Sequence, residues 1–349
     1  MKVSFKNDYS EGCHPRILEA LTKTNLEQQN GYGLDEYCVS ASNLIRDKCN
    51  SPLSKVHFVS GGTQANLLVI AAALKPFESV IAATTGHIYT NEAGAIEATG
   101  HKVNTIATED GKLMVDHITA ILDGHQNTPH VVKPKMVYIS NATEIGTIYS
   151  KDELKSLYNY CNANALYLFM DGARLGQGLM AKDSDLTLAD IARLTDVFWI
   201  GGTKNGALLG EAIVITNPSI QEDFAFHIKQ RGAMLSTGRI LGIQFLELFK
   251  DDLFFDLAKL ANEQAMKLKN AFIEKGIPFW AETTTTFFSL IILAKSVASI
   301  KSDATVSWIN KSPTNRTNIF LNAFIFYVFI GGYFKIISLT QPVKFSILF

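Results

Sequence analysis

The sequence predicts an α/β protein in which helices cover both faces of a mostly parallel sheet. Three observations carry this. From residue 55 onward, short apolar runs alternate with stretches of helical spacing. Two of those runs end in small-residue turns that present polar side chains, Asp171 with Arg174 and Lys204. Such strand ends are where open α/β sheets bind ligands. The length, 349 residues, suffices for one large domain and a smaller one.

Residues 1–50 read as an N-terminal arm and helix. Asn7 to Gly12 is polar and irregular, and Pro15 opens a helix over 16–22. Proline suits that position because its φ is already helical and its missing N–H is not needed there. Asn30-Gly31-Tyr32-Gly33 is a loop, and 35–48 has apolar residues at helical spacing. Read alone, Ser10 and Tyr32 belong to a solvated arm.

Residues 51–250 read as the large domain. A strand at 56–59 runs into Ser60-Gly61-Gly62-Thr63-Gln64-Ala65-Asn66, which opens a helix reaching Leu74. A small-residue turn at a helix start leaves backbone N–H groups at the positive dipole end, so it can hold a phosphate. It matches neither a P-loop nor a GxGxxG fingerprint, and alone it is an ordinary strand–helix turn. The next strand, 80–83, is followed by Thr84-Thr85-Gly86-His87. His87 could stack on a planar ring or be a polar loop histidine. Glu92 is expected to open a helix, 103–106 is a strand, and Asp110-Gly111 is a turn. A helix over 115–122 and a loop over 125–130 lead to a strand at 136–140. Ser150 and Glu153 form a capping box that starts a helix to about Cys161. After the Asp171 strand come a helical segment at 186–193, the Lys204 strand and a strand at 212–216. Residues 224–249 and 253–275 are helical, with a polar break between Gln230 and Arg239 that suits subunit or phosphate contacts, or a solvated helix edge.

Residues 251–349 read as the small C-terminal domain. After Glu282 the character changes: 287–349 carry only one acidic residue, Asp303. Residues 319–334 are almost wholly apolar but fall short of the roughly 20 that a membrane helix needs. The loss of acidic residues and of periodicity predicts a frame shift near 282–287.

A net charge of −1 gives no footprint for nucleic acid or for an anionic membrane surface. The four cysteines, Cys13, Cys38, Cys49 and Cys161, form no CxxC pair. Neither a disulfide framework nor a metal site is expected, and a cytoplasmic location fits. The opening residues carry no apolar signal-peptide core.

An acid, an arginine and a lysine at neighbouring strand ends suggest pyridoxal 5'-phosphate (PLP). Its Schiff base needs a lysine and its pyridinium nitrogen an acid. The chain resembles the L-threonine aldolases of the PLP-dependent β-eliminating lyase group. The resemblance rests on Ser10-Glu11-Gly12, Gly31-Tyr32-Gly33-Leu34-Asp35, Gly62-Thr63-Gln64-Ala65-Asn66, His87 with Glu92 and Gly94, Asp171-Gly172-Ala173-Arg174 and Gly202-Thr203-Lys204-Asn205-Gly206. These occur in family order over residues 5 to about 280.

The resemblance implies an aspartate-aminotransferase-like fold (fold type I), with a seven-stranded large-domain sheet and a small α+β domain. It implies cleavage of L-threonine or L-allo-threonine to glycine and acetaldehyde. It assigns Lys204 to the Schiff base, Asp171 to the ring nitrogen and His87 to the ring face. Gly62, Thr63 and Thr203 would bind phosphate, and Arg174 and Ser10 the substrate carboxylate. Tyr32 would lie near the site, and Arg231 or Arg239 would reach a neighbouring subunit's cofactor. His87 or His130 would act as the base. The expected partners are a small amino-acid substrate and further copies of the chain, as a dimer or homotetramer with sites at the dimer interface.

Two departures stand out. Glu144 occupies a position where many family members have histidine. The small-domain arginine that helps bind the substrate carboxylate has no counterpart after residue 282, where Arg316 is the only arginine. The competing readings are another PLP-dependent lyase or aminotransferase, a PLP-binding protein impaired by its tail, and a tail-anchored membrane protein.

Overall fold

The computed structural model describes residues 7–276, 279 and 282–286, together with the backbone of Tyr327–Ile330 and Tyr333–Ile336. The chain opens with α1 (Pro15–Lys23), where Pro15 stands in the first turn as expected, and α2 (Glu36–Lys48), where the Asp35 carboxylate accepts from the Cys38 N–H at 2.8 Å. Then follow β1 (Lys55–Val59), α3 (Gly62–Ala73), β2 (Glu78–Ala83), α4 (His87–Thr90) and β3 (Val103–Ile106). The middle comprises α5 (Val115–Asp123), β4 (Lys133–Ser140), α6 (Lys151–Ala163) and β5 (Tyr167–Asp171). The capping box forms at the start of α6: Ser150 Oγ accepts from the Glu153 N–H, and Glu153 accepts from the Ser150 N–H. After it come α7 (Leu175–Leu179), α8 (Leu188–Arg193), β6 (Val197–Gly201), β7 (Glu211–Ile215), α9 (Pro218–Gln221), α10 (Phe224–Gln230), α11 (Arg239–Lys250) and α12 (Leu253–Glu274).

The sheet has seven strands in the order β1-β7-β6-β5-β4-β2-β3. β2 through β6 pair in parallel, and β7 runs antiparallel between β6 and β1. β1 therefore points the same way as β6. Helices cover both faces, and β6 shows why. Phe198 and Ile200 enter one core with α1, α2, α5, α6, α8, α11 and α12, while Val197 and Trp199 enter the other with α3 and α10. Apolar residues at every position of a strand are what burial on two faces requires. α3 likewise buries six residues, Ala65, Asn66, Leu68, Val69, Ile70 and Ala71, and carries no polar outer face to set against them.

The sequence reading needs one correction here. Glu92 opens no helix: positive φ at Ala93 (50°) and Gly94 (75°) breaks the run, and only a 3-10 turn at Glu97–Thr99 follows. The break expected between Gln230 and Arg239 is present: α10 and α11 are separate helices, with a turn where Gly232 has φ 68°. In the tail, Tyr327–Ile330 and Tyr333–Ile336 pair as an antiparallel two-stranded sheet. Otherwise the expectations for residues beyond 286, the frame shift included, lie outside the described residues. Among the described residues no helix is long and apolar enough to cross a membrane.

Candidate active site

The carboxyl ends of β1, β2, β4, β5 and β6 share one rim of the sheet, and β7 begins there. A cavity opens on that rim, lined from the turns after these strands by Gly62, His87, Glu144, Asp171 and Lys204, and by Glu211 of β7. The strand-end logic of the sequence reading thus gathers residues up to 142 positions apart, Gly62 to Lys204, in one place.

Lys204 follows β6, and its amine is largely buried. The nearest carboxylate, Asp8 Oδ1, is 3.9 Å away, beyond hydrogen-bonding distance. Burial, with the Arg174 charge nearby, holds the amine below the usual lysine value against the opposing pull of Asp8, Asp171 and Glu211. A lysine so placed is more readily neutral and nucleophilic.

Asp171 ends β5, 4% exposed. Its Oδ2 accepts from Tyr138 Oη at 2.6 Å and Asn66 Nδ2 at 3.0 Å, and its Oδ1 from the Ala173 N–H at 2.9 Å. Asn66 is the hub of a larger network. Its Nδ2 also donates to Glu92 Oε1 at 2.7 Å, and its Oδ1 accepts from Trp199 Nε1 at 3.0 Å. Glu92 Oε1 in turn lies 2.8 Å from His87 Nδ1. Burial alone would lower the His87 pKa, but the Glu92 contact and the Asp171 charge outweigh it and raise the value.

Glu144 closes the far side. Its Oε1 accepts from the His87 N–H at 2.9 Å and from Ser140 Oγ at 2.7 Å. Burial pushes its carboxyl up despite those bonds.

Arg174 Nε donates to Asp8 Oδ2 at 2.6 Å, and both side chains are buried. Burial would raise the Asp8 carboxyl, but Arg174 and Lys204 hold it below the usual value. The arm is fixed here by the His14 N–H, which donates to the Gly206 carbonyl at 2.9 Å. The arm residue lining the cavity is Tyr9, whose ring lies 5.9 Å from Lys204 Nζ.

Of the sequence-predicted residues, Gly62, Thr63, His87, Asp171, Arg174, Thr203 and Lys204 line the cavity. Ser10 does not. It is exposed, and its hydroxyl donates to Asn7 Oδ1. Tyr32 is 51% exposed and lines a separate groove beside Cys38 and Leu241. The Arg239 guanidinium donates to the carbonyls of Glu27 and Asn25, and Arg231 to Gln230. His130 precedes the amino end of β4, an eight-residue strand, so it sits on the opposite rim, roughly 25 Å away at about 3.3 Å per residue. From there it does not reach this cavity. Asp8, Asn66, Tyr138, Trp199 and Glu211 had no role in the sequence reading. Asn66 and Glu92 stood inside the quoted motifs, but spacing along the chain does not reveal a hydrogen-bond hub.

The β-eliminating lyase family model matches residues 9–294. The chain belongs to the β-eliminating lyase family. It is 35% identical over 266 residues to the low specificity L-threonine aldolase of Pseudomonas aeruginosa, covering 76% of each chain. A structure of Leishmania major threonine aldolase superposes with a TM-score of 0.83 at 47% identity, covering 86% of this chain and 87% of that one. Thermus thermophilus aspartate aminotransferase, at TM-score 0.63 and 14% identity, shares the fold alone. The expected fold type I architecture is therefore present.

PLP is the cofactor of this family, and the residues fit it. Lys204 offers a buried amine not hydrogen-bonded to the nearest carboxylate. Asp171 offers a carboxylate fixed by three donors. In the turn before α3, Gln64 Oε1 takes the Ser60 N–H at 3.1 Å, but the N-cap Gly61 has no side chain to cap the first N–H groups of the helix. A Cβ at Gly61 would meet open space, whereas one at Gly62 would lie 2.9 Å from the Trp199 ring. The turn is thus packed on one side and open on the other.

Proposed function

We propose that this PLP-dependent lyase cleaves L-threonine or L-allo-threonine into glycine and acetaldehyde. The observation that carries the proposal is the cavity itself, where the Lys204 amine lies among Asp171, Arg174 and the His87–Glu92 pair. When bound, the cofactor supplies an electron sink for the bond to be cleaved. Lys204 would hold it covalently, and Gly62 and Thr63 would hold its phosphate through the α3 start. Asp171, fixed by Asn66, Tyr138 and Ala173, would keep a proton on the ring nitrogen. Rigid support of that kind is how a site keeps a charge in place without reorganising.

Arg174 would bind the substrate carboxylate. Fixing that carboxylate sets which bond at Cα stands across the ring plane, and so which bond breaks. His87 is the group to take the β-hydroxyl proton. Its raised pKa comes from Glu92, which stabilises the imidazolium that forms, and histidine titrates near the working pH. The proton would then stay on His87 Nε2, with Glu92 at Nδ1 balancing its charge while the aldehyde leaves, and would be available to return to Cα as glycine forms.

The protein is read as a cytoplasmic homo-oligomer. The exposed apolar side chains Tyr32, Leu34, Val39 and Phe226 support association. The four free, buried cysteines suit a reducing compartment. Product analysis with L-threonine tests the activity. Glycine and acetaldehyde are expected; 2-oxobutyrate would instead mark an eliminating lyase, and no turnover would defeat the proposal.

A further inference from the structure

Glu211 has no part in the chemistry above, yet it is 5% exposed and lines the same cavity. β7 places it. Glu211 pairs with Val59 on one side and with Gly201 on the other. Its carboxyl therefore lies between the turn carrying Gly62 and Thr63 and the turn carrying Thr203 and Lys204. Oε2 accepts from the Gly202 N–H at 2.9 Å, and Oε1 accepts from Thr203 Oγ1 at 2.9 Å. Thr203 Oγ1 also accepts from the Gly210 N–H at 3.0 Å.

A hydroxyl has one proton to give. While Glu211 is ionised, the Thr203 proton is committed to Oε1, and none is left for an anion in the cavity. The ionised carboxylate would also repel a phosphate. Once Glu211 carries a proton, its O–H can donate to Thr203 Oγ1, whose two lone pairs then serve Glu211 and Gly210. The Thr203 proton is freed to point into the cavity. We propose that Glu211 is a positioning residue whose own proton converts Thr203 into a donor to the cofactor phosphate, so the phosphate is bound with Glu211 neutral.

The surroundings agree. Burial pushes the Glu211 carboxyl up to about 8, against the bonds from Thr203 and Gly202 and the Lys204 charge, and with help from Asp171. The other charged or titratable groups lining the cavity are Tyr9, His87, Glu144 and Arg174, with Asp8 on Arg174. A carboxylic acid kept neutral by an apolar site is a known way to make a donor at neutral pH.

The inference rests on the PLP reading, and its test separates the two. The full chain, stripped of cofactor, is titrated at pH 7 and pH 9 with 4'-deoxypyridoxine 5'-phosphate and with 4'-deoxypyridoxine. Neither probe has an aldehyde, so Lys204 chemistry does not enter. The readout is the affinity gained from the phosphate. In the wild type that gain should fall about tenfold, the loss of protonated carboxyl across two pH units centred on about 8. Phosphate itself gains charge as pH rises past about 6, so its own titration works the other way. In Glu211→Gln the amide donates at both pH values, and the gain should hold its pH 7 level. In Thr203→Val the gain should already be low at pH 7 and fall less than in the wild type, because only repulsion by the ionised Glu211 remains. A flat wild-type profile, or a Glu211→Gln profile that falls like the wild type, overturns the inference and leaves the cofactor reading standing. No binding of either probe at any pH overturns both. If Glu211→Gln does not fold, the wild-type and Thr203→Val profiles decide.

Discussion

Asn66→Ala removes the hub that joins the ring-facing acid to the rest of the site. The Trp199 indole N–H, on a side chain 2% exposed, loses the Asn66 carbonyl. A buried donor left without a partner costs about 1–3 kcal/mol. Asp171 and Glu92 each lose one charge-assisted hydrogen bond, worth about 1.5–3 kcal/mol. Asp171 keeps Tyr138 and Ala173, and Glu92 keeps His87. Water entering the vacated space returns part of the loss. The expected net destabilisation is about 2–5 kcal/mol, large beside the roughly 5–15 kcal/mol of a typical fold. Urea unfolding of the cofactor-free chain, followed by tryptophan fluorescence, measures it. Asn66→Asp separates hydrogen bonding from volume, because it puts a third carboxyl beside Glu92 and Asp171. That carboxyl would be protonated far more readily when folded than when unfolded, so the Asp variant should recover stability relative to wild type as pH falls. A loss below 1 kcal/mol in Asn66→Ala, or an Asp deficit independent of pH, would refute the reasoning.

Two further outcomes follow from single contacts. Glu92→Gln should lower the pKa of His87, since Glu92 is the main group raising it; an unmoved midpoint in an NMR titration would contradict this. The sign for stability is that of a histidine raised on folding. The His87–Glu92 pair contributes fully below the ordinary value of 6.5, and its contribution is lost as pH rises through the higher folded value. Gly172→Ala should prevent folding, because a Cβ there would lie 1.7 Å from the Trp199 carbonyl oxygen where β5 and β6 run side by side. A soluble variant with wild-type circular dichroism would contradict that.

The centre of the sheet was legible because β2, β5, β6 and β7 are largely apolar runs, the pattern that burial on both faces leaves. Pro15 and Ser150 marked helix starts through chemistry that is local to a few residues, whereas the Asp35 cap of α2 emerged only in the structure. Glu92 failed as a helix start for the converse reason. Its carboxylate is committed to Asn66 and His87, partners of α3 and α4, and the positive φ of Ala93 follows no local rule. Lys204, Asp171 and Gly62-Thr63 could be read from the sequence because each stands at a strand end. Asp8 and Glu211 could not. One reaches the cavity by an arm that folds back on Arg174, 166 positions away. The other opens the one antiparallel strand in the site, and its orientation depends on which strands flank it.

The account turns on Lys204 as the covalent anchor. Purified protein loaded with PLP, reduced with borohydride and digested, should carry the pyridoxyl phosphate mass on the peptide containing Lys204. Lys204→Ala should carry none at any site. Label on another lysine of the wild type, or undiminished label in Lys204→Ala, would contradict the account.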